Sequence, residues 1–121
     1  MTSATHIDVD GLLASVGLEG FSERETATLS GGELQRLAIA AALARRPALL
    51  ISDESTSMVD PAGRRQVMDV LRRLPARGTA VVHVTHHLAE AAGADLVVVL
   101  RDGQVEAAGP PGAVLGERAG V

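Results

Sequence analysis

The chain contains no lysine: all eleven of its basic residues are arginine. A phosphate-cradling loop of the GxxxxGK[ST] type needs a lysine to reach the terminal phosphates, so these residues encode none. No glycine cluster after a strand suggests a degenerate version. Cysteine is also absent, which fits a reducing compartment without requiring one. The longest apolar run, Leu37 to Ala44, is far below a membrane span, and the first residues lack the apolar centre of a signal peptide. Net charge is −4 with mixed signs, and the arginines cluster only in the pairs Arg45-Arg46, Arg64-Arg65 and Arg72-Arg73. No nucleic-acid footprint results. The expectation is a soluble intracellular chain whose 121 residues suffice for one domain with a real core and are too few for two.

What is present is concentrated in Leu29-Ser30-Gly31-Gly32-Glu33-Leu34-Gln35-Arg36. Ser30 and Glu33 have the spacing of a capping box, in which each side chain satisfies a first-turn backbone N–H. Gly31 and Gly32 carry no Cβ, so another molecule can approach the helix start closely. The helix dipole adds partial positive charge at the same place. The pattern predicts an anion site that faces a partner surface.

Along the chain, Leu12, Leu13 and Val16 give a short helical pattern closed by Gly17, and Gly20 to Thr28 reads as loop. Ser30 opens a helix with an apolar stripe at Leu34, Leu37, Ala38, Ala41 and Ala42, carrying Arg45 and Arg46 in its last turn and stopped by Pro47. Ala48 to Ser52 reads as a buried strand ending in Asp53 and Glu54. Asp60-Pro61 caps a helix that buries Val67, Val70, Leu71 and Leu74. Ala80 to Thr85 is a second buried strand, followed by a short helix over Leu88 to Ala92. Leu96 to Leu100 and Val105 to Ala108 flank a hairpin turn at Arg101-Asp102-Gly103-Gln104. The tail from Gly109 holds at most one helical turn. Strands alternating with helices predict an α/β layer fold read as one continuous unit.

Two carboxylates at a strand's carboxyl end, Asp53 and Glu54, lie where ligands bind in open α/β sheets. Adjacent residues there point different ways, so one can hold Mg²⁺ while the other polarises a water. Taken alone, the pair is better explained as two solvated acids at a loop entry, because such pairs are common. His86 follows the second strand and is expected to open onto the same crevice, where it can bond a phosphate oxygen. The spacing His83-x-x-His86-His87 also invites a metal site, but no cysteine or nearby acid completes the set. Ser55 to Asp60 is either a polar loop whose last residue caps a helix or, in addition, a contact across a dimer surface.

Taken in order, LSGGELQR, ALLISDE, STSMVDP and VTHH resemble the nucleotide-binding domain of ATP-binding-cassette (ABC) proteins, from about Ile7 onward. The resemblance is to the C-terminal half of that domain. It implies an α/β P-loop NTPase fold of the ABC ATPase type, three-layered and truncated, lacking the N-terminal Walker A half. It also implies a signature helix over 30–46, Walker B over 48–54, a D-loop over 57–60, a switch-histidine loop over 84–87 and a C-terminal hairpin over 96–108. The strand of the lysine loop is expected between the Walker B and switch-histidine strands, so that its loss leaves two edges unpaired.

By the same resemblance Asp53 supports Mg²⁺, Glu54 is the general base for water and His86 contacts the γ-phosphate. Ser30, Gly31, Gly32 and Glu33 would face ATP held by a second protomer, with Ser57 and Asp60 as D-loop dimer contacts. Glu33 stands where glutamine is commoner. The Ser-Met variant in Asp53-Glu54-Ser55-Thr56-Ser57-Met58 is similar to the energy-coupling-factor branch, which includes cobalt and vitamin importers. The Q-loop and the adenine-stacking aromatic are missing, with Phe21 the sole aromatic residue. The implied cofactors are ATP and Mg²⁺. The implied partners are a second ABC ATPase protomer, head to tail, and a transmembrane transporter subunit, with no nucleic acid. The implied location is cytoplasmic, peripheral on the inner face of the cell membrane. Two alternatives are a non-catalytic module lending its signature face to a competent cassette, and the ATPase head of a DNA-repair or structural-maintenance protein. The run Leu37 to Ala44, the Ser-Met D-loop and the lack of a coiled-coil segment argue against the last.

Overall fold

The computed structural model describes residues 7–54 and 59–116. It divides into two compact units, Met1–His83 and Val84–Val121.

In the first unit, α1 spans Val9–Ser15, with Asp8 as N-cap accepting from the Gly11 N–H at 2.9 Å. The chain turns at Gly17, whose φ of +78° suits a residue without Cβ. A short 3₁₀ turn at Thr26–Thr28 then leads to α2, Gly31–Leu43. Helix α3, Pro61–Arg73, starts as its sequence requires: Asp60 caps it, Pro61 fills the first turn, and Arg72 and Arg73 sit at the negative dipole end. Its apolar positions Val67, Val70, Leu71 and Leu74 are all buried, together with Leu13, Val16, Leu18 and Ile39 from α1, its exit and α2. Each such side chain contributes roughly 1.5–3 kcal/mol by leaving water.

The stripe expected on α2 is displaced. Its buried positions are Gly32, Arg36, Ile39 and Ala40, whereas Leu34 is 42% exposed. A helix in which nearly every residue is apolar or small has no unique face in its periodicity, so its neighbours choose one. Arg36 enters the core because its Nη1 donates to the carbonyls of Val16 and Gly17, both at 3.1 Å. The helix also ends sooner than expected, at Leu43, because Arg46 adopts φ +51° ahead of Pro47.

Strands β1 (Leu49–Asp53) and β2 (Ala80–Val84) hydrogen-bond directly to each other. This corrects the expected gap between them: no strand is inserted and the two facing edges are paired. Their start is pinned by the Ala80 N–H donating to the Ala48 carbonyl and the Thr79 hydroxyl donating to the Pro47 carbonyl, both at 2.9 Å. Leu50 and Val81 pack on the core, while Leu49, Ile51 and Val82 on the other face are about half exposed.

In the second unit, helix α4 (Leu88–Ala91) precedes an antiparallel hairpin of β3 (Val97–Arg101) and β4 (Gln104–Gly109). Its turn residues Asp102 and Gly103 both have positive φ, +51° and +75°, the type I′ geometry that matches strand twist. A bulge lies between Val99 and Leu100. Val97 packs with Val114 and Leu115 of α5 (Pro111–Leu115), so the tail carries a real helical turn.

Candidate functional site

The predicted capping box is formed in full. Ser30 Oγ accepts from the Glu33 N–H at 3.1 Å, and Glu33 Oε1 accepts from the Ser30 N–H at 2.9 Å. That backbone hydrogen bond is the main cause holding the Glu33 carboxyl below its usual value, helped by the Ser30 hydroxyl and by Arg24 and Arg36, and opposed by desolvation. The box uses the amides of Ser30 and Glu33. Of the first-turn donors it leaves Gly31 and Gly32, and these differ: Gly31 is exposed and Gly32 is buried.

Gly32 is buried because α2 and α3 start side by side. A Cβ there would stand 3.2 Å from Gly63 Cα and 3.3 Å from Val59 Cγ1. Ser30, Gly31, Gly32, Asp60, Gly63 and Gln66 thus line one cleft of about 390 Å³. Asp60 Oδ1 accepts from the Gly63 N–H at 2.7 Å, so its visible role is that of helix cap. Ser57, the other residue expected at a dimer contact, lies outside the described residues.

Asp53 ends β1 exposed, and the half-buried Glu54 follows at φ +53°. A left-handed glutamate costs about 1–2 kcal/mol, and such conformations cluster where a side chain must be aimed. The strand reading alone gave no sign of this break. Behind the two acids, buried Ser52 lies with its Oγ 2.9 Å from His83 Nδ1. His83 is therefore engaged inside the first unit, and among the described residues no three histidine, aspartate or glutamate side chains gather as a metal cluster. An Mg²⁺ ion needs only one or two carboxylates beside waters and phosphate oxygens, so Asp53 as sole resident ligand fits that ion.

His86 belongs to the second unit, exposed in the segment between β2 and α4. Its neighbours are tied: the His87 N–H donates to Thr85 Oγ1 at 2.9 Å, and that hydroxyl donates to Glu90 Oε1 at 2.8 Å. Sequence reasoning passed over Arg36, Gly63 and Glu90. A helical glycine three residues after an Asp cap was the one visible signal for Gly63; nothing in the periodicity marked the other two.

The ABC transporter family profile matches residues 3–57. An uncharacterized ABC transporter ATP-binding protein of Mycobacterium tuberculosis is 52% identical over 118 residues, 93% of this chain and 17% of that protein. The energy-coupling factor transporter ATP-binding protein EcfA1 of Lacticaseibacillus paracasei is 48% identical over 104 residues, 85% of this chain and 37% of that protein. The structure of cbiO1 from Clostridium perfringens, part of the ABC transporter complex cbiONQ, superposes with a TM-score of 0.81. It is 33% identical over 91% of this chain and 45% of its own. The dimeric post-hydrolysis state of the ATP-binding cassette MJ0796, bound to ADP and Pi, gives 0.70 and 34% over 84% of this chain and 44% of its own.

The fold is the α/β P-loop NTPase fold of the ABC ATPases. The likeness associates the chain with ABC transporter ATP-binding proteins and, among them, the energy-coupling-factor ATPases. The expected truncation to a C-terminal half lacking the Walker A half does not stand: alignments to the curated relatives run over 82–93% of the chain. The chain is similar to ABC ATP-binding protein sequences along most of its length. It spans about 17–37% of the length of those relatives. The lack of lysine is a property of these 121 residues alone.

Proposed function

We infer that the chain serves as an ATP-binding and ATP-hydrolysing component of an ABC importer of the energy-coupling-factor type, coupling nucleotide turnover to substrate uptake through a transmembrane partner. The observation that carries this reading is the signature turn: a closed Ser30–Glu33 box that leaves the exposed Gly31 amide at the positive end of a helix thirteen residues long. In this reading Ser30, Gly31, Gly32 and Glu33 face the phosphates of ATP held by a second protomer, head to tail. Ser57 and Asp60 lie along the same dimer contact.

Asp53 would ligate Mg²⁺, which neutralises phosphate charge when bound. Glu54 would take the proton of the attacking water, and His86 would hydrogen-bond the γ-phosphate. Positioning and electrostatics then do most of the work, as in phosphoryl transfer generally. The relatives named EcfA1 and the cbiO1 structure support the importer branch and the membrane partner. The same likeness supports a cytoplasmic component, which this reading places peripherally on the inner membrane face. The test is phosphate release by a full-length EcfA1-type protomer with and without this chain. Stimulation by the wild type and none by Gly31→Asp supports the reading; equal effects of the two overturn it.

A further inference from the structure

We infer that Glu90 is a positioning residue for His86, acting through the Thr85 hydroxyl; the inference rests on the reading of His86 as the phosphate-facing side chain. Glu90 is only 8% exposed although it sits on a helix of four residues. A carboxylate is costly to bury unless a donor meets it. One donor is Thr85 Oγ1, at 2.8 Å. A hydroxyl has a single proton. Committing it to Glu90 turns the oxygen lone pairs toward the His87 N–H, which donates to them at 2.9 Å. The loop closes on itself, because the Glu90 N–H donates to the His87 carbonyl at 3.0 Å. Residues 85 and 87 are therefore both fixed to the same glutamate, and the residue between them, His86, is exposed. The arrangement holds the backbone on either side of this exposed residue. Hydrogen bonds linked in this way polarise one another, so the unit loses more than one contact when a member is removed.

The test uses the full chain and needs no nucleotide. Amide hydrogen exchange at His87 and the ring resonances of His86 are followed by NMR in Thr85→Val, Thr85→Ser, Glu90→Leu and Glu90→Gln. Thr85→Val and Glu90→Leu are expected to speed His87 exchange by about fivefold or more, the equivalent of one hydrogen bond. Both are also expected to move the His86 ring resonances. Thr85→Ser keeps the hydroxyl and Glu90→Gln keeps an acceptor, so each is expected to restore both readouts. Should Glu90→Leu fail to fold, Glu90→Gln against Thr85→Val still decides. Unchanged His86 resonances in Thr85→Val, or no rescue by Thr85→Ser, overturn the inference. Loss of nucleotide-dependent behaviour with these NMR results intact would instead count against the ATP reading alone.

Discussion

Gly32 and Gly63 face each other across the start of α2 and α3, and the space beside each is already crowded. A Cβ on Gly32 would lie 3.2 Å from Gly63 Cα, and one on Gly63 would overlap Val59 Cγ1. This contact brings the signature turn beside the Asp60 cap. Gly63→Ala is therefore expected to cost about 1–3 kcal/mol through overpacking. Gly112→Ala serves as the contrast, since a Cβ there meets nothing within 4 Å. Urea denaturation midpoints check both. A Gly63→Ala protein as stable as the parent would mean that Val59 does not pack against Gly63 as described.

Arg36 makes a second prediction. The residue is only 8% exposed, and its Nη1 satisfies the Val16 and Gly17 carbonyls where α1 ends. Arg36→Met keeps most of the volume and strands both acceptors, so it is expected to cost about 1–3 kcal/mol. Arg36→Lys has one compact ammonium and should recover only part of that loss. Denaturant titration of the two variants distinguishes packing from hydrogen bonding.

Glu33 gives a dependence on pH. Its carboxyl is held below the ordinary value in the folded chain, chiefly by the Ser30 N–H. A depressed folded value means the capping contribution is present above the unfolded value and is lost as pH falls through the folded one. An NMR titration should place the Glu33 midpoint below that of a glutamate in an unfolded peptide, and Ser30→Ala should raise it. An unshifted Glu33 midpoint would mean the box does not form in solution.

The purified chain alone is expected to show no ATP turnover above a Glu54→Gln control, because no lysine among its residues can reach the terminal phosphates. Phosphate release that depends on Glu54 would assign that task to one of the arginines.

Much of this was legible beforehand where a local rule has one answer. The Ser30–Glu33 box, the Asp60-Pro61 start of α3 and the Asp102-Gly103 turn each depend on residues a few positions apart, and each is present. The buried face of α2 was not legible, because alanine and leucine on nearly all sides leave the choice to packing with Gly63 and the Gly17 loop. Pairing of β1 with β2 was misjudged for a related reason: strand order depends on contacts between distant segments, which periodicity does not encode. Ser30 and Asp60 cap their helices as read, whereas the left-handed turn at Glu54 and the Thr85–Glu90 tie depend on packing that no local pattern marks.

Association between this chain and a full-length EcfA1-type ATP-binding protomer, followed by light scattering with and without MgATP, tests the signature turn most directly. Complex formation that requires MgATP and disappears in Gly31→Asp is the predicted result. Association indifferent to nucleotide, or equal in parent and Gly31→Asp, would contradict a role for this turn in gripping phosphate.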